Sequence, residues 1–83
     1  MIYRPGNKVK IQNLTQDRER FSKPGVCLTA EMVDLSNKIA TIVNAEYDNG
    51  IGELVYEIDL DRTKYTWVAQ YFYPPIVLKR KSI

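Results

Sequence analysis

The sequence has no histidine and a single cysteine among its 83 residues. Histidine is the commonest general base and the commonest metal ligand in proteins, so its absence argues against most acid–base catalysis and most metal centres. One cysteine without histidine also provides too few ligands for a structural zinc site. Glycine-rich phosphate loops and nucleophile elbows are missing as well. We therefore expect a protein that is not an enzyme and that carries no cofactor and no metal ion.

The single cysteine, Cys27, cannot form an internal disulfide. Secreted domains of this size usually need disulfides, so the sequence favours a reducing compartment. Without a histidine partner, Cys27 is predicted to be a small buried hydrophobe beside Val26 and Leu28 rather than a nucleophile. No apolar run has the length of a signal peptide or approaches the ~20 residues of a membrane helix. These absences predict a cytoplasmic location and no contact with a membrane.

The charged residues divide the chain into three segments, although the net charge is only +2. Residues 1–27 carry six basic and two acidic side chains, residues 28–61 carry one basic and eight acidic, and residues 62–83 carry five basic and none acidic. The ordinary interpretation is that the acidic and basic segments lie against each other in the fold and that their electrostatic fields cancel. The alternative is that the two basic ends form one face that steers a charged partner.

Two stretches of the first half have the composition of strands. Residues 8–12 alternate polar and apolar side chains, which predicts a half-buried strand with Val9 and Ile11 facing inward and Lys8 and Lys10 facing outward. The β-branched run 39–43 predicts a buried central strand.

The second half continues the β pattern after a strong turn signal at residues 48–52. The segment from Leu54 to Leu60 predicts a strand whose apolar side chains, including that of Leu60, share one face. A fourth strand is predicted to begin at residues 65–67, and residues 76–78 are the candidate for a last strand.

Helical and loop signals occupy the remaining positions. Residues 29–35 predict a short helix that Thr29 caps, and residues 68–72 predict a short helical turn. Residues 13–26 are polar and predict a long surface loop. Together the signals predict one mostly-β domain, a tightly bent small barrel of four or five short strands with one short helix and a long loop after the first strand.

An ordered set of core and turn residues resembles a known family. It begins with a Gly-x-x-Val-x-Ile opening at 6–11, continues with the run 38–42 and with Tyr56, Ile58 and Asp61, and ends with Trp67, Phe72 and Pro74. This order, over residues 6–74, resembles small SH3-like barrel proteins of phages and prophages of Gram-positive bacteria. The resemblance implies a single SH3-like barrel domain over 1–83, with 76–83 as a C-terminal extension, that binds proteins, peptides or nucleic acids in the host cytoplasm.

Three carboxylates stand at alternate positions in the acidic segment, Glu57, Asp59 and Asp61. On a strand they would share one face. The ordinary interpretation is a solvated outer surface. The alternatives are a site for a cation or an acidic surface that imitates phosphates and occupies a basic groove of a target protein.

Five aromatic residues lie within residues 65–73. Trp67 and Phe72 are predicted to be core residues, whereas Tyr65, Tyr71 and Tyr73 are candidates for a half-exposed patch because a tyrosine can bury its ring and keep its hydroxyl in water. Together with the basic residues Lys79, Arg80 and Lys81 of the C-terminal tail, the patch would suit single-stranded nucleic acid. The ordinary interpretation is that these tyrosines cover the small core.

The sequence therefore predicts a non-catalytic binding protein, a phage or prophage accessory protein that binds, and by hypothesis inhibits, a host protein. The alternative is a nucleic-acid-binding barrel that uses its basic termini. Homo-oligomerisation stays open. The candidate partner-binding residues are Tyr65, Tyr71, Tyr73, Lys79, Arg80, Lys81, Glu57 and Asp59.

Overall fold

Four antiparallel strands form one curled sheet in the order β1-β2-β3-β4 in the computed structural model, which describes residues 3–15, 25–26 and 28–74. The mostly-β prediction is confirmed. The elements are β1 (Lys8–Lys10), the helix α1 (Ala30–Asp34), β2 (Ile39–Asp48), β3 (Glu53–Ile58), β4 (Trp67–Val68) and a 3₁₀ turn (Ala69–Tyr71).

The long strand β2 holds the sheet together because its two halves pair with different neighbours. Its first residues pair with β1, and the part from Ile42 onward pairs with β3. A register shift between Ile42 and Asn44 separates the two halves. An irregularity of this kind bends a strand and increases its twist, which curls the sheet around its core.

The alternation predicted for the first strand is confirmed. Val9 and Ile11 are buried, whereas Lys8 and Lys10 are exposed. The predicted helix is also confirmed, since Oγ1 of Thr29 accepts a hydrogen bond from the backbone N–H of Met32 at 3.2 Å. A Thr side chain in this position satisfies one of the free N–H groups of the first turn.

Two strand predictions need correction. The run 39–43 lies in a central strand, but Ile39 and Val43 are exposed, because β-branched side chains favour strands on either face of a sheet. The strand predicted to reach Leu60 ends at Ile58, and Leu60 is exposed in the turn that follows. The chain changes direction there, so the period-2 pattern no longer decides which way a side chain points.

The segment after the 3₁₀ turn returns to the free side of β1. Ile11 forms an isolated antiparallel bridge with Phe72. The N–H of Gln12 donates to the carbonyl of Tyr71, and the N–H of Tyr73 donates to the carbonyl of Lys10, both at 2.8 Å. These bonds bring the two ends of the described chain together.

The core lies inside the curled sheet and is rich in aromatic rings. Trp67 stacks on Phe72 with ring centroids 5.9 Å apart, and Tyr71 meets Trp67 edge to face. The predictions that Trp67 and Phe72 are core residues are confirmed, since both are buried. The predicted strand 76–78, Cys27 and most of the 13–26 loop lie outside the described residues. Within the described ranges, no helix has the length and apolar character needed to cross a membrane.

Candidate functional site

A largely apolar groove of about 670 Å³ runs beside β1, and we call it the β1 groove. Its volume lies within the ~300–1,000 Å³ range of ordinary ligand sites. Its lining residues come from the N-terminal segment, from β1, from the start of β2 and from the segment after the 3₁₀ turn. They are Tyr3, Lys8, Val9, Lys10, Ile39, Tyr73 and Pro74.

Strand pairing on both sides of β1 builds this groove. Lys10 stands opposite Ile39 in the β1–β2 register, and its carbonyl accepts the hydrogen bond from Tyr73 on the other side. Directly opposite residues point to the same face, so Ile39 stands beside Lys10 on the outer face. The side chain of Ile39 is 63% exposed. An apolar side chain with this exposure, opposite Lys10 in a groove that Lys8 also lines, is suited to contact with another molecule.

The ring of Tyr73 is held in place at one end of the β1 groove. Its hydroxyl donates to Oδ1 of Asn37 at 3.3 Å, and Nζ of Lys10 lies 5.7 Å from its ring centroid. A lysine ammonium at this distance is attracted by the electrons of the ring face. Tyr73 therefore forms a fixed wall of the groove, and Lys10 occupies one of its two ring faces.

Tyr3 forms the buried floor of the β1 groove. Its ring makes edge contacts with Tyr56 and Phe72, each with centroids 5.5 Å apart, and its hydroxyl donates to the carbonyl of Tyr73 at 3.4 Å. Burial raises the pKa of Tyr3 above its usual value, and the neighbouring Tyr56 adds to the increase. The phenol is therefore neutral throughout the physiological range and serves as a hydrogen-bond donor.

A second, smaller hollow of about 220 Å³ lies on the outer side of β2 and β3, and we call it the polar hollow. Two predicted site residues, Glu57 and Tyr65, belong to it. A carboxylate oxygen of Glu57 accepts a hydrogen bond from the amide of Asn44 at 3.1 Å. The full lining is Asn44, Glu46, Val55, Tyr56, Glu57, Thr63, Lys64, Tyr65 and Thr66.

A small charge cluster closes one side of the polar hollow. Lys64 forms an ion pair with Glu31 at 3.2 Å, and its ammonium lies 5.1 Å from the ring centroid of Tyr65. The pKa of Glu31 is lowered, mainly by its hydrogen bond with Tyr65 and secondarily by Lys64. The pKa of Lys64 is raised, mainly by its hydrogen bond with Tyr65 and secondarily by Glu31. Since both charged side chains are largely exposed, the pair contributes little to stability.

The predicted tyrosine patch does not exist as one surface. Tyr73 lines the β1 groove and Tyr65 lines the polar hollow. The prediction that Tyr71 is half-exposed is wrong, because the 3₁₀ turn directs its ring into the core, where it packs on Trp67. The basic residues predicted to accompany the patch lie outside the described residues: Lys79, Arg80 and Lys81.

The predicted acidic strand face is also divided. Asp59 follows the end of β3, and its Oδ1 accepts a hydrogen bond from the N–H of Thr41 at 2.9 Å. Oδ2 of Asp61 accepts from the indole N–H of Trp67 at 2.8 Å. Only Glu57 of the three carboxylates lies on a strand, because the chain turns after Ile58. Among the described residues, no group of three or more acidic or cysteine side chains is arranged to hold a metal ion.

Sequence reasoning missed Lys8, Lys10 and Ile39 as site residues. The alternation in residues 8–12 already pointed both lysines outward, so this part of the signal was present. The position of Ile39 opposite Lys10 depends on a pairing between segments about thirty residues apart, which no local pattern reveals. No protein-family model, no curated protein and no solved structure matches the chain.

Proposed function

We propose that the chain is a non-catalytic binding protein whose β1 groove takes a short segment of a partner protein that carries apolar and acidic side chains. The observation that carries the proposal is the exposed Ile39, opposite Lys10, in a groove of ligand-site volume that Lys8 also lines. Lysine stems extend an apolar surface while their ammonium groups remain in water. An apolar partner side chain would fill the groove, and neighbouring carboxylates would meet the ammonium groups.

The same proposal assigns the fold to the SH3-like barrels. Two features support the assignment: a 3₁₀ turn directly follows β4, and the segment at Phe72 and Tyr73 then bonds to β1 in the manner of a fifth strand. The resemblance to phage and prophage proteins supports a role as an accessory protein that binds and inhibits a host protein in the host cytoplasm. The fold alone does not choose the partner.

Single-stranded nucleic acid is the second candidate, because Lys10 lies close to the aromatic ring of Tyr73 and Lys8 lines the same groove. Binding of this class needs ring faces that are open to stacking bases. Lys10 already lies over the ring of Tyr73, and Tyr3 is buried. The groove therefore offers charge but little stacking area, which favours the protein partner.

A displayed library of random peptides tests the proposal. The folded protein is immobilised, bound peptides are sequenced, and we expect enrichment of peptides in which aspartate or glutamate stands next to a large apolar residue. The variants Ile39→Glu and Lys10→Glu should lose these peptides, because they place a negative charge in the groove. Leu60→Glu is the matched control, since Leu60 is also an exposed apolar residue but does not line the groove.

Two outcomes would contradict the proposed function. One is a selection without enrichment, or with peptides that bind Ile39→Glu and the parent protein equally. The other is tight binding of a fluorescent oligothymidylate that weakens steeply with added salt and that Lys10→Glu abolishes, which would replace the peptide with nucleic acid.

A further inference from the structure

The second half of β2 has a backbone edge that no described strand covers, and we call it the β2 edge. On the side of β1, hydrogen bonding reaches Ile42, whose N–H donates to the carbonyl of Asn7 and whose carbonyl accepts from the N–H of Gly6, both at 2.8 Å. The pairing of β1 involves only the first residues of β2, Ile39 to Thr41. Beyond Ile42, the only described strand that pairs with β2 is β3.

The direction of each backbone group follows from the turn that ends β2. The carbonyl of Asp48 accepts from the N–H of Gly52 at 2.7 Å, and Asp48 stands opposite Glu53 in the register. Asp48 therefore points its backbone groups toward β3. Since these groups alternate along an antiparallel strand, Glu46 also points toward β3, while Ala45 and Tyr47 point away from it. Both backbone groups of Ala45 and of Tyr47 lie on the β2 edge.

The side chains next to the β2 edge add apolar surface and negative charge. Tyr47 is 60% exposed and Val43 is 47% exposed. The carboxylates of Glu46 and Asp48 flank Tyr47 along the strand, and residues 39–58 contain no lysine or arginine. An open strand edge with exposed apolar residues is a template for another strand.

We propose that the β2 edge binds an extended, basic segment of a partner protein as an additional antiparallel strand. The added strand would bond to the backbone groups of Ala45 and Tyr47, and its lysine or arginine side chains would meet Glu46 and Asp48. A second copy of the chain fits less well, because antiparallel pairing of two such edges would bring two acidic hairpins together. This surface is separate from the β1 groove and does not depend on the function proposed for it.

Amide hydrogen exchange of the free protein tests whether the edge is open. The amides of Ala45 and Tyr47 should exchange at least about tenfold faster than that of Glu46, which bonds to β3. Equal protection of the three amides would overturn the proposal, since it would mean that the edge is covered.

A titration monitored by nuclear magnetic resonance tests the partner chemistry. The probe is a short synthetic peptide of alternating lysine and valine, and its matched control is a peptide of alternating glutamate and valine. The basic peptide should shift the amide resonances of Ala45 and Tyr47 and slow their exchange, whereas the acidic peptide should not. No shift with the basic peptide, or equal binding of the two peptides, would overturn the proposal.

Variants separate backbone bonding from charge. Ala45→Pro removes one outward N–H and should weaken binding of the basic peptide at least about tenfold, while Ala45→Ser keeps that N–H and should bind as the parent does. Because proline also restricts the strand, Glu46→Lys provides a second test and should weaken binding about fivefold. Ile39→Glu, in the β1 groove, should leave this binding unchanged. Binding that survives both Ala45→Pro and Glu46→Lys would refute the assigned surface.

Discussion

Asp61 is predicted to stabilise the fold through the only tryptophan of the chain. The indole N–H of Trp67, a fully buried side chain, donates to Oδ2 of Asp61 at 2.8 Å, and the N–H of Tyr65 donates to the same oxygen at 3.3 Å. Replacing Asp61 with alanine removes the acceptor of both donors. The indole N–H then lies in a core where water does not reach it easily.

The structure sets the size of the expected effect. A hydrogen bond to a charged group contributes ~1.5–3 kcal/mol, and a buried donor without an acceptor costs ~1–3 kcal/mol. Asp61 is only partly buried, so we expect Asp61→Ala to lower the free energy of unfolding by about 2 kcal/mol, near the middle of these ranges. Asp61→Asn keeps an oxygen acceptor without the charge and should cost about 1 kcal/mol.

Urea denaturation followed by circular dichroism measures these differences, because this signal does not require the tryptophan. A double-mutant cycle with Trp67→Phe isolates the pairwise part, because the cavity left by the smaller ring cancels in the cycle. We expect a coupling energy of at least about 1 kcal/mol between the two positions. Asp59→Ala is the control, since it removes one exposed hydrogen bond to Thr41 and should cost less. Additive effects of the Asp61 and Trp67 changes would refute the reasoning.

Three further predictions follow from single residues. The pKa of Tyr3 is raised in the folded state, so its contribution to stability is present below the unfolded value of 10.0 and is lost as pH rises through the folded pKa. Chemical denaturation at a series of pH values between the two should show a decline in the free energy of unfolding, and Tyr3→Phe should remove that decline. Thr63 has a φ of +59°, so Thr63→Gly should raise the free energy of unfolding by about 0.5 kcal/mol in chemical denaturation, whereas Thr66→Gly should lower it. Met32→Ala should lower the free energy of unfolding by about 2–4 kcal/mol, since Met32 is fully buried. A decrease of less than about 1 kcal/mol would contradict the core position of Met32.

The parts of the fold that sequence reasoning predicted correctly depend on neighbours in the chain. The alternation of residues 8–12 determines which way Val9 and Ile11 point as soon as the segment is extended. The Thr29 cap and the turn at residues 48–52 are equally local, because a side chain bonds to a backbone group two or three residues away. Such signals do not require knowledge of the pairing partner.

The predictions that failed concern positions where the chain turns between elements. Leu60 continues the apolar alternation of β3, yet the strand has ended two residues earlier. Asp61 continues the acidic alternation and instead accepts from Trp67. Tyr71 and Tyr73 have the same side chain two residues apart, and the 3₁₀ turn places the first in the core and leaves the second 38% exposed. Composition does not distinguish these cases, because the tertiary position of the turn decides them.

The two proposed surfaces differ in how they depend on the fold. The β2 edge belongs to one hairpin, whose strands follow each other along the chain, so it exists once β2 and β3 have paired. The β1 groove needs four segments, which are the N-terminal segment, β1, the start of β2 and the segment after the 3₁₀ turn. The bridge between Ile11 and Phe72 holds the second and the fourth of them together. Non-local pairing of this kind closes a long loop of the chain. A change that loosens the bridge should therefore impair the groove and leave the β2 edge intact, which makes the groove the surface more sensitive to partial unfolding.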